Sequence, residues 1–215
     1  MNLSNMVKLR KKEGANPVIA EIKVYSPKHG DLLRGGRDPP LDILRIYERS
    51  GVAGISYITA NEFKGGNFDT LRQICNETDL PVLRKDFITS KGGEIERTAE
   101  VGASAILLIT RILGGEKTAE FVDYALDHGL DTLVEVHSIE EARIANETNT
   151  TMIGINNRDI AILERDDGNV ELTERLCRHV RGGDVVRVSE SGIRSIDDLK
   201  RALKCADAAL IGTAS

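Results

Sequence analysis

Residues 103–136 have the sequence ASAILLITRILGGEKTAEFVDYALDHGLDTLVEV, and this stretch shows how the chain is built. The runs ASAILLIT (103–110) and LDTLVEV (130–136) are too short for typical helices. Their nearly continuous apolar character is typical of parallel strands that are buried on both faces. Between them, Lys117 to His128 has the pattern of an amphipathic helix. The stretch therefore predicts a strand, a helix and a second parallel strand.

Similar units recur along the chain and predict eight strands in all. The other six strands are PVIAEI (17–22), GVAGISYIT (51–59), PVLRKDF (81–87), TMIGIN (151–156), DVVRVSE (184–190) and DAALIGT (207–213). The other helices are predicted over residues 41–49, 68–77, 92–101, 139–146, 171–180 and 196–203. Eight strands alternating with helices favour a closed (β/α)8 TIM barrel of the α/β class over an open doubly wound sheet. No linker-like stretch interrupts them, so we predict a single domain over residues 1–215.

The composition excludes several classes of partner. The 29 Lys and Arg residues against 34 Asp and Glu give a net charge of -5, which offers no general attraction to nucleic acid or to an anionic membrane. The N-terminus does not resemble a signal peptide and no stretch approaches the ~20 apolar residues of a membrane span, which predicts a cytoplasmic protein. The three cysteines are widely spaced and indicate neither a disulfide framework nor a zinc site.

Polar side chains stand at the C-terminal ends of the predicted strands, where TIM barrels carry their catalytic groups. They are Glu21, Lys23, Lys85, Glu135, Asn156 and Glu190. If these side chains face the lumen, three carboxylates and two ammonium groups converge there. Carboxylates keep a nearby lysine protonated as an acid, and crowding makes a carboxylate a better base. The alternative, a set of salt bridges without chemistry, is disfavoured because burying so many charges is costly.

A second set of residues predicts a phosphate site. Ser191-Gly192-Ile193-Arg194 follows the seventh predicted strand, and Gly212-Thr213 ends the eighth. Barrels frequently hold phosphate with backbone N–H groups from these two loops, where glycine allows a close approach. Either glycine alone would suit a tight turn, but together they indicate a phosphorylated substrate.

No metal site is predicted. His29, His128 and His137 form no metal-ligand pattern, and the chain has no HExxH motif. We interpret His137 as a supporting or surface residue rather than a catalytic one. Phe87, beside Lys85, fits the core and the cover of an aromatic substrate equally well.

Six motifs at the strand ends resemble those of the indole-3-glycerol-phosphate synthase family. In order, they are AEIK followed by SP, PVLRKDF, LVEVH, IGINNRD, SESGI and IGT, and they extend over residues 18–213. The resemblance implies a TIM-barrel carboxy-lyase of tryptophan biosynthesis that needs no cofactor. Its substrate would be 1-(2-carboxyphenylamino)-1-deoxyribulose 5-phosphate, a small phosphorylated aromatic compound. Its products would be indole-3-glycerol phosphate, carbon dioxide and water.

The resemblance also implies a role for each strand-end residue. Lys85 would be the general acid that protonates the ribulose carbonyl, with Phe87 against the substrate. Glu135 would be the acid/base partner in the later dehydration, and Glu21 and Lys23 would complete the proton-transfer set. Asn156 and Glu190 would bind the substrate and orient the lysines. The phosphate would be held by Ser26, Ser191, Gly192, Gly212 and Thr213.

The chain departs from the family at both ends. Only about sixteen residues precede Pro17, whereas the family usually has a longer extension that includes a helix over the active site. The sequence ends at Ser215, so we expect most of the final barrel helix to be missing. The outer face of the last and first strands, near Leu210 and Val18, would then be uncovered, which would destabilise the barrel or drive association. We expect a monomer or a weak homo-oligomer. Lys28 stands where the family commonly has serine, and we expect it to contact the phosphate instead.

Two other functions stay open at the level of sequence. A sugar-phosphate isomerase of the same fold would keep the phosphate loops but would have no use for Glu21, Lys23 and Lys85 together. A non-catalytic barrel that binds a phosphorylated ligand or another subunit is indicated only by the shortened ends. Turnover of the carboxyphenylamino substrate separates these functions from the first.

Overall fold

The computed structural model describes residues 1–27, 29–32, 39–63, 66–158 and 168–212. Eight parallel strands form a closed barrel: β1 (Val18–Ile22), β4 (Gly54–Ile58), β5 (Val82–Lys85), β6 (Ala105–Ile109), β7 (Asp131–Val136), β8 (Met152–Asn156), β9 (Val186–Glu190) and β10 (Ala208–Ile211). β10 pairs with β1 and closes the barrel. Two short strands, β2 (Tyr25–Ser26) and β3 (Gly30–Asp31), pair antiparallel in the loop after β1.

Helices follow the barrel strands. They are α2 (Pro39–Arg49), α3 (Phe68–Glu77), α4 (Glu94–Glu100), α5 (Thr110–Leu113), α6 (Gly115–Asp127), α7 (Ile139–Asn146), α8 (Glu171–Leu176) and α9 (Ile196–Ala202), and α1 (Leu3–Lys12) precedes β1. Serine side chains cap α7 and α9, because Ser138 accepts from the Glu141 N–H and Ser195 from the Asp198 N–H. In the described ranges, no helix is long and apolar enough to cross a bilayer.

The predicted TIM barrel is confirmed, and each predicted strand forms. The observed strands are slightly shorter than predicted, since apolar residues continue into the flanking turns. Gly51, for example, has a φ of +70° and belongs to the turn before β4 rather than to the strand. The helix predicted over 171–180 ends at Leu176 and continues as a 3-10 segment, Cys177–His179.

Successive side chains of each strand alternate between the lumen and the helices. Ile19, Leu83, Leu133 and Val188 belong to one buried cluster inside the barrel, whereas Ile22 and Tyr57 pack with residues of the helices outside. Because the alternation has a period of two, residues two positions beyond a lumen residue also face the lumen. The rule places Glu21, Lys85, Glu135 and Glu190 inside the barrel at its C-terminal end.

Helix α1, which the sequence did not predict, closes the N-terminal end of the barrel. Leu3 and Val7 are completely buried in the lumen cluster. The carboxylate of Asp131, the first residue of β7, accepts a hydrogen bond from the Ser4 N–H at 2.7 Å. Lys8 reaches the Asp184 carbonyl, and Lys11 pairs with Asp207. This segment therefore lies at the end of the barrel opposite to the strand-end charges and does not cover them.

The described residues end at Gly212, directly after β10. The prediction of an uncovered outer face is wrong for Leu210, which points into the lumen and is buried. Its neighbour Ile211 and Val18 of β1 are half-buried and line a shallow outer groove with Tyr47 and Val52.

Candidate active site

The ammonium group of Lys85 lies between two carboxylates inside the barrel. Its Nζ is 3.4 Å from Glu21 Oε2 of β1 and 3.7 Å from Glu190 Oε2 of β9. All three residues are more than nine-tenths buried. Two negative charges at this distance, with little water between them, stabilise the protonated form of a lysine. The lumen therefore holds a proton donor at the C-terminal end of β5.

Glu135 lies on another side of the lumen and has no exposed surface. Its Oε2 accepts a hydrogen bond of 3.2 Å from Asn156 Nδ2, and its Oε1 is 3.4 Å from His137 Nε2. Asn156 is itself fixed, because its Oδ1 accepts from the backbone N–H of Arg158 at 3.0 Å. The carboxylate is thus held by a hydrogen bond at Oε2, and its Oε1 faces the imidazole.

Two glycines make room for the carboxylates that face Lys85. A Cβ atom on Gly154 of β8 would lie 1.8 Å from Glu190 Oε1, and one on Gly212 would lie 2.7 Å from Glu21 Oε1. Neither distance is possible for real atoms, so any larger residue would displace the carboxylate. The positions of Glu21 and Glu190 therefore depend on two glycines, Gly212 directly after β10 and Gly154 within β8.

A cavity opens beside this cluster, at the ends of β1, β9 and β10. Four of the residues predicted to hold phosphate line it: Ser26, Ser191, Gly192 and Gly212. Glu21 and Lys23 line it as well. His29, Arg158 and Arg194 add three further basic side chains. Basic residues and loop backbone together suit an anionic group such as a phosphate.

The loop after β9 is held in an unusual conformation. Ser191 and Gly192 have φ angles of +61° and +69°. A positive φ is uncommon for residues other than glycine, so the backbone at Ser191 is strained. Such backbone strain persists only where the surroundings hold it. Asn157 does so here: its Nδ2 donates to the carbonyls of Glu190 (2.9 Å) and Ser191 (3.1 Å), and its Oδ1 accepts from the Thr173 N–H (3.0 Å). The loop is therefore shaped before any ligand arrives.

The end of β5, which carries Lys85, is anchored outside the lumen. Asp86 Oδ2 accepts from Arg84 and from Thr59 Oγ1, each at 2.6 Å, and its Oδ1 accepts from the Phe87 N–H at 2.8 Å. Phe87 is half-buried and packs against Ile58 at the rim of the lumen. Its position is compatible with both interpretations made from sequence, and its contact with substrate stays a prediction.

The structure brings most of the predicted site residues together at one end of the barrel. Lys85 contacts Glu21 and Glu190, and Asn156 donates to Glu135. Thr213 and Lys28, both predicted to contact phosphate, lie outside the described residues.

Two cavity residues, His29 and Arg158, were not among the predicted site residues, whereas Arg194 belongs to the Ser191-Gly192-Ile193-Arg194 stretch that predicted the phosphate site. Arg158 had a signal in the sequence, because it ends the NNR run. His29 had none, because only the course of the loop after β1 takes it to the cavity. In the part of the chain that the structure describes, no group of three His, Cys, Asp or Glu side chains could hold a metal ion.

Comparisons with known proteins identify one family. A family model described as "Indole-3-glycerol phosphate synthase" matches residues 2–215. The indole-3-glycerol phosphate synthase of Pyrococcus furiosus is 66% identical over 212 residues, which cover 99% of this chain and 90% of that protein. The corresponding protein of Pyrococcus abyssi is 66% identical over 199 residues, or 93% of this chain and 85% of that protein. Tryptophan synthase subunit alpha from Legionella pneumophila is similar in fold alone, with 13% identity and a TM-score of 0.69 over 100% of this chain and 87% of the other.

Proposed function

The chain belongs to the indole-3-glycerol phosphate synthase family, and we propose that it closes the indole ring with the buried charges at the C-terminal strand ends. It is a carboxy-lyase of tryptophan biosynthesis, which sets aside the isomerase and the binding-only barrel. The reaction converts 1-(2-carboxyphenylamino)-1-deoxyribulose 5-phosphate to indole-3-glycerol phosphate with loss of carbon dioxide and water. The proposal concerns which residues carry out each step.

The position of Lys85 between Glu21 and Glu190 carries the proposal. Ring closure begins when the ring carbon that bears the carboxylate attacks the ribulose carbonyl, whose oxygen then needs a proton. A lysine kept protonated by two carboxylates at 3.4 and 3.7 Å supplies that proton inside a site with little water. Lys85 is therefore the general acid of the condensation.

The later steps restore the aromatic ring and remove water. The carboxylate leaves as carbon dioxide, and its bonding electrons return to the ring. The hydroxyl then departs with one added proton, and a second proton leaves the substrate as the indole double bond forms. Glu135, fixed by Asn156, serves as the acid/base partner of this dehydration, with Glu21 and Lys23 completing the proton-transfer set. The decarboxylation, the loss of water and the proton transfers that accompany them need no cofactor.

The cavity next to Lys85 is the proposed phosphate site. Backbone groups of the Ser191-Gly192 loop and of Gly212 would hold the phosphate, with the side chains of Ser26 and Lys23 beside them. Arg158, Arg194 and His29 add positive charge there. Phe87 would pack against the aromatic ring. A cytoplasmic location and a monomeric or weakly associating state belong to the proposal as well.

The test is turnover of the carboxyphenylamino-deoxyribulose phosphate, followed by indole fluorescence. We expect product from the wild type and a loss of kcat on the order of 10²- to 10⁴-fold in Lys85→Ala and in Glu135→Gln, because each substitution removes a group that transfers a proton. Lys200→Ala is the matched control, since Lys200 lies on the surface of α9 with a side chain 68% exposed.

Two results would contradict the assignment. A wild type that is folded by circular dichroism yet forms no product would exclude this substrate. A wild type that forms product while Lys85→Ala keeps the same kcat would exclude Lys85 as the general acid.

A further inference from the structure

His137 lies between two carboxylates at the edge of the active site. Its Nε2 is 3.4 Å from Oε1 of Glu135, and its Nδ1 is 3.4 Å from Oε2 of Glu141. The imidazole is only 4% exposed. Each ring nitrogen therefore lies 3.4 Å from a carboxylate oxygen, which is within hydrogen-bond reach although neither contact has the geometry of a hydrogen bond. One of those carboxylates is the proposed acid/base residue.

Glu141 is held in place as an anion. It lies in the first turn of α7. Its Oε2 accepts a hydrogen bond from the backbone N–H of His137 at 2.7 Å, and its Oε1 accepts from Arg111 Nε at 3.2 Å. Burial raises the pKa of Glu141, but the hydrogen bonds from His137 and Arg111 outweigh burial and hold the pKa below its usual value. Glu141 therefore carries its negative charge at neutral pH.

An ionised Glu141 fixes the tautomer of the imidazole. Its oxygen accepts a proton but has none to give, so the proton of a neutral His137 resides on Nδ1. That leaves Nε2 facing Glu135 Oε1. A bare nitrogen opposite a bare carboxylate oxygen would be repulsive, so one proton is needed between these two atoms, on either side. A carboxylate that fixes an imidazole in this way is the arrangement that orients the histidine of catalytic triads.

We propose that His137 is a positioning residue that shares one proton with Glu135, while Glu141 fixes its orientation and tautomer. The inference rests on the role of Glu135 in the proposed function. Before the dehydration, the shared proton lies on Glu135 or on His137 Nε2. Glu135 passes it to the departing hydroxyl, which leaves as water. The proton lost by the substrate as the double bond forms then returns to Glu135, so the pair ends the cycle unchanged and lacks the shared proton only between these two transfers.

The experiment compares His137→Gln and Glu141→Gln with the wild type. Glutamine fills similar space but cannot exchange a proton with Glu135, so we expect His137→Gln to lower kcat on the order of 10²-fold with an unchanged KM. Glu141→Gln should lower kcat in the same direction but less, since it removes only the charge that fixes the tautomer. The matched control is Glu140→Gln, the neighbouring residue in the same helical turn, with a side chain 78% exposed.

Rescue by added imidazole separates proton sharing from a purely structural role. In His137→Ala we expect free imidazole to restore part of the lost kcat, because it can occupy the space and exchange the proton. A wild-type kcat in His137→Gln would overturn the proposal. So would a loss in His137→Ala that imidazole does not restore, accompanied by a higher KM.

Failure of the proposed function gives a different result. Absence of product from the wild type, or full activity in Glu135→Gln, would refute the role of Glu135 itself. Product from the wild type, no product from Glu135→Gln and full activity in His137→Gln would refute only the inference about His137.

Discussion

The two ends of the barrel both bury charge, but they use it differently. At the N-terminal end, Asp131 is 2% exposed and accepts hydrogen bonds from the Ser4 N–H and the Asn2 side chain, so its carboxylate anchors the start of α1. At the C-terminal end, Glu21 and Glu190 face Lys85 beside an open cavity.

The difference shows what separates a structural charge from a reactive one. A carboxylate that accepts from a helix N-terminus is fully engaged by the backbone and stabilises the fold. Carboxylates that face an ammonium group beside a cavity remain within reach of a ligand, although their burial is costly. Barrels tolerate that cost at the end where the chemistry takes place. Substitutions at the N-terminal end should therefore change stability, and those at the C-terminal end should change activity.

The largest effect on stability is expected from Leu3→Ala at the N-terminal end of the barrel, the closed end that α1 covers. Leu3 is completely buried in the lumen cluster, and its truncation leaves a cavity that costs about 2 to 5 kcal/mol. Denaturant unfolding measures the loss, while kcat per folded molecule should not change. Leu9→Ala on the same helix is the control, since Leu9 is 38% exposed. Equal losses in both variants, or a lower kcat in Leu3→Ala, would remove the distinction between the two ends.

The next effect is expected at the open end, from Gly154→Ala. The added methyl group would lie 1.8 Å from Glu190 Oε1 and must displace that carboxylate from Lys85. Displacement of a catalytic group by about 1 Å lowers activity on the order of 10²-fold. Steady-state kinetics of Gly154→Ala and Gly182→Ala test this, because a Cβ on Gly182 meets its nearest atom at an ordinary 3.5 Å. Wild-type kcat/KM in Gly154→Ala would mean that the position of Glu190 does not matter.

The smallest effect is a dependence of stability on pH at the closed end. Burial raises the pKa of Asp207, but hydrogen bonds from Lys11 and Arg187 outweigh it and lower the pKa below its usual value. Because the pKa of Asp207 is lower in the folded state, its carboxylate stabilises the fold at pH values above the unfolded-state pKa of about 3.9. This contribution is lost as the pH falls through the folded-state pKa. Asp207→Asn should therefore be less stable than the wild type at neutral pH and lose less stability on acidification.

Urea unfolding at several pH values between neutral and strongly acidic measures this difference. Asp197→Asn is the control, because its side chain is 89% exposed. Parallel stability curves for the wild type and Asp207→Asn would show that the carboxylate adds nothing at the closed end.

The barrel was predictable because its strands carry a direct sequence signal. Each is a short, mostly apolar run, and several carry a polar residue at or near the C-terminal end. The period of two then identifies the lumen face, as for Glu21 two positions after Ile19. Leu210 was placed on the wrong face because β10, Ala208–Ile211, is apolar throughout and shows no alternation to distinguish its faces. Helix α1 was missed because Leu3 and Val7 stand among mostly polar and basic residues. Only the N-terminal end of a fully formed barrel gives those two side chains a place to be buried.

The sequence determines the number and order of the strands and the residues at their ends. It does so because the apolar periodicity of each strand and the turn residues that bound it depend only on residues that are near neighbours in the chain. The partners of the strand-end residues do not follow from the sequence. Lys85 meets Glu21 and Glu190 because barrel closure brings β1, β5 and β9 around one lumen. Glu135 faces His137 and Asn156, so a histidine interpreted as a supporting or surface residue lies against the proposed acid/base group. Only the closed barrel sets these distances, because contacts across a lumen join strands that are far apart in the chain.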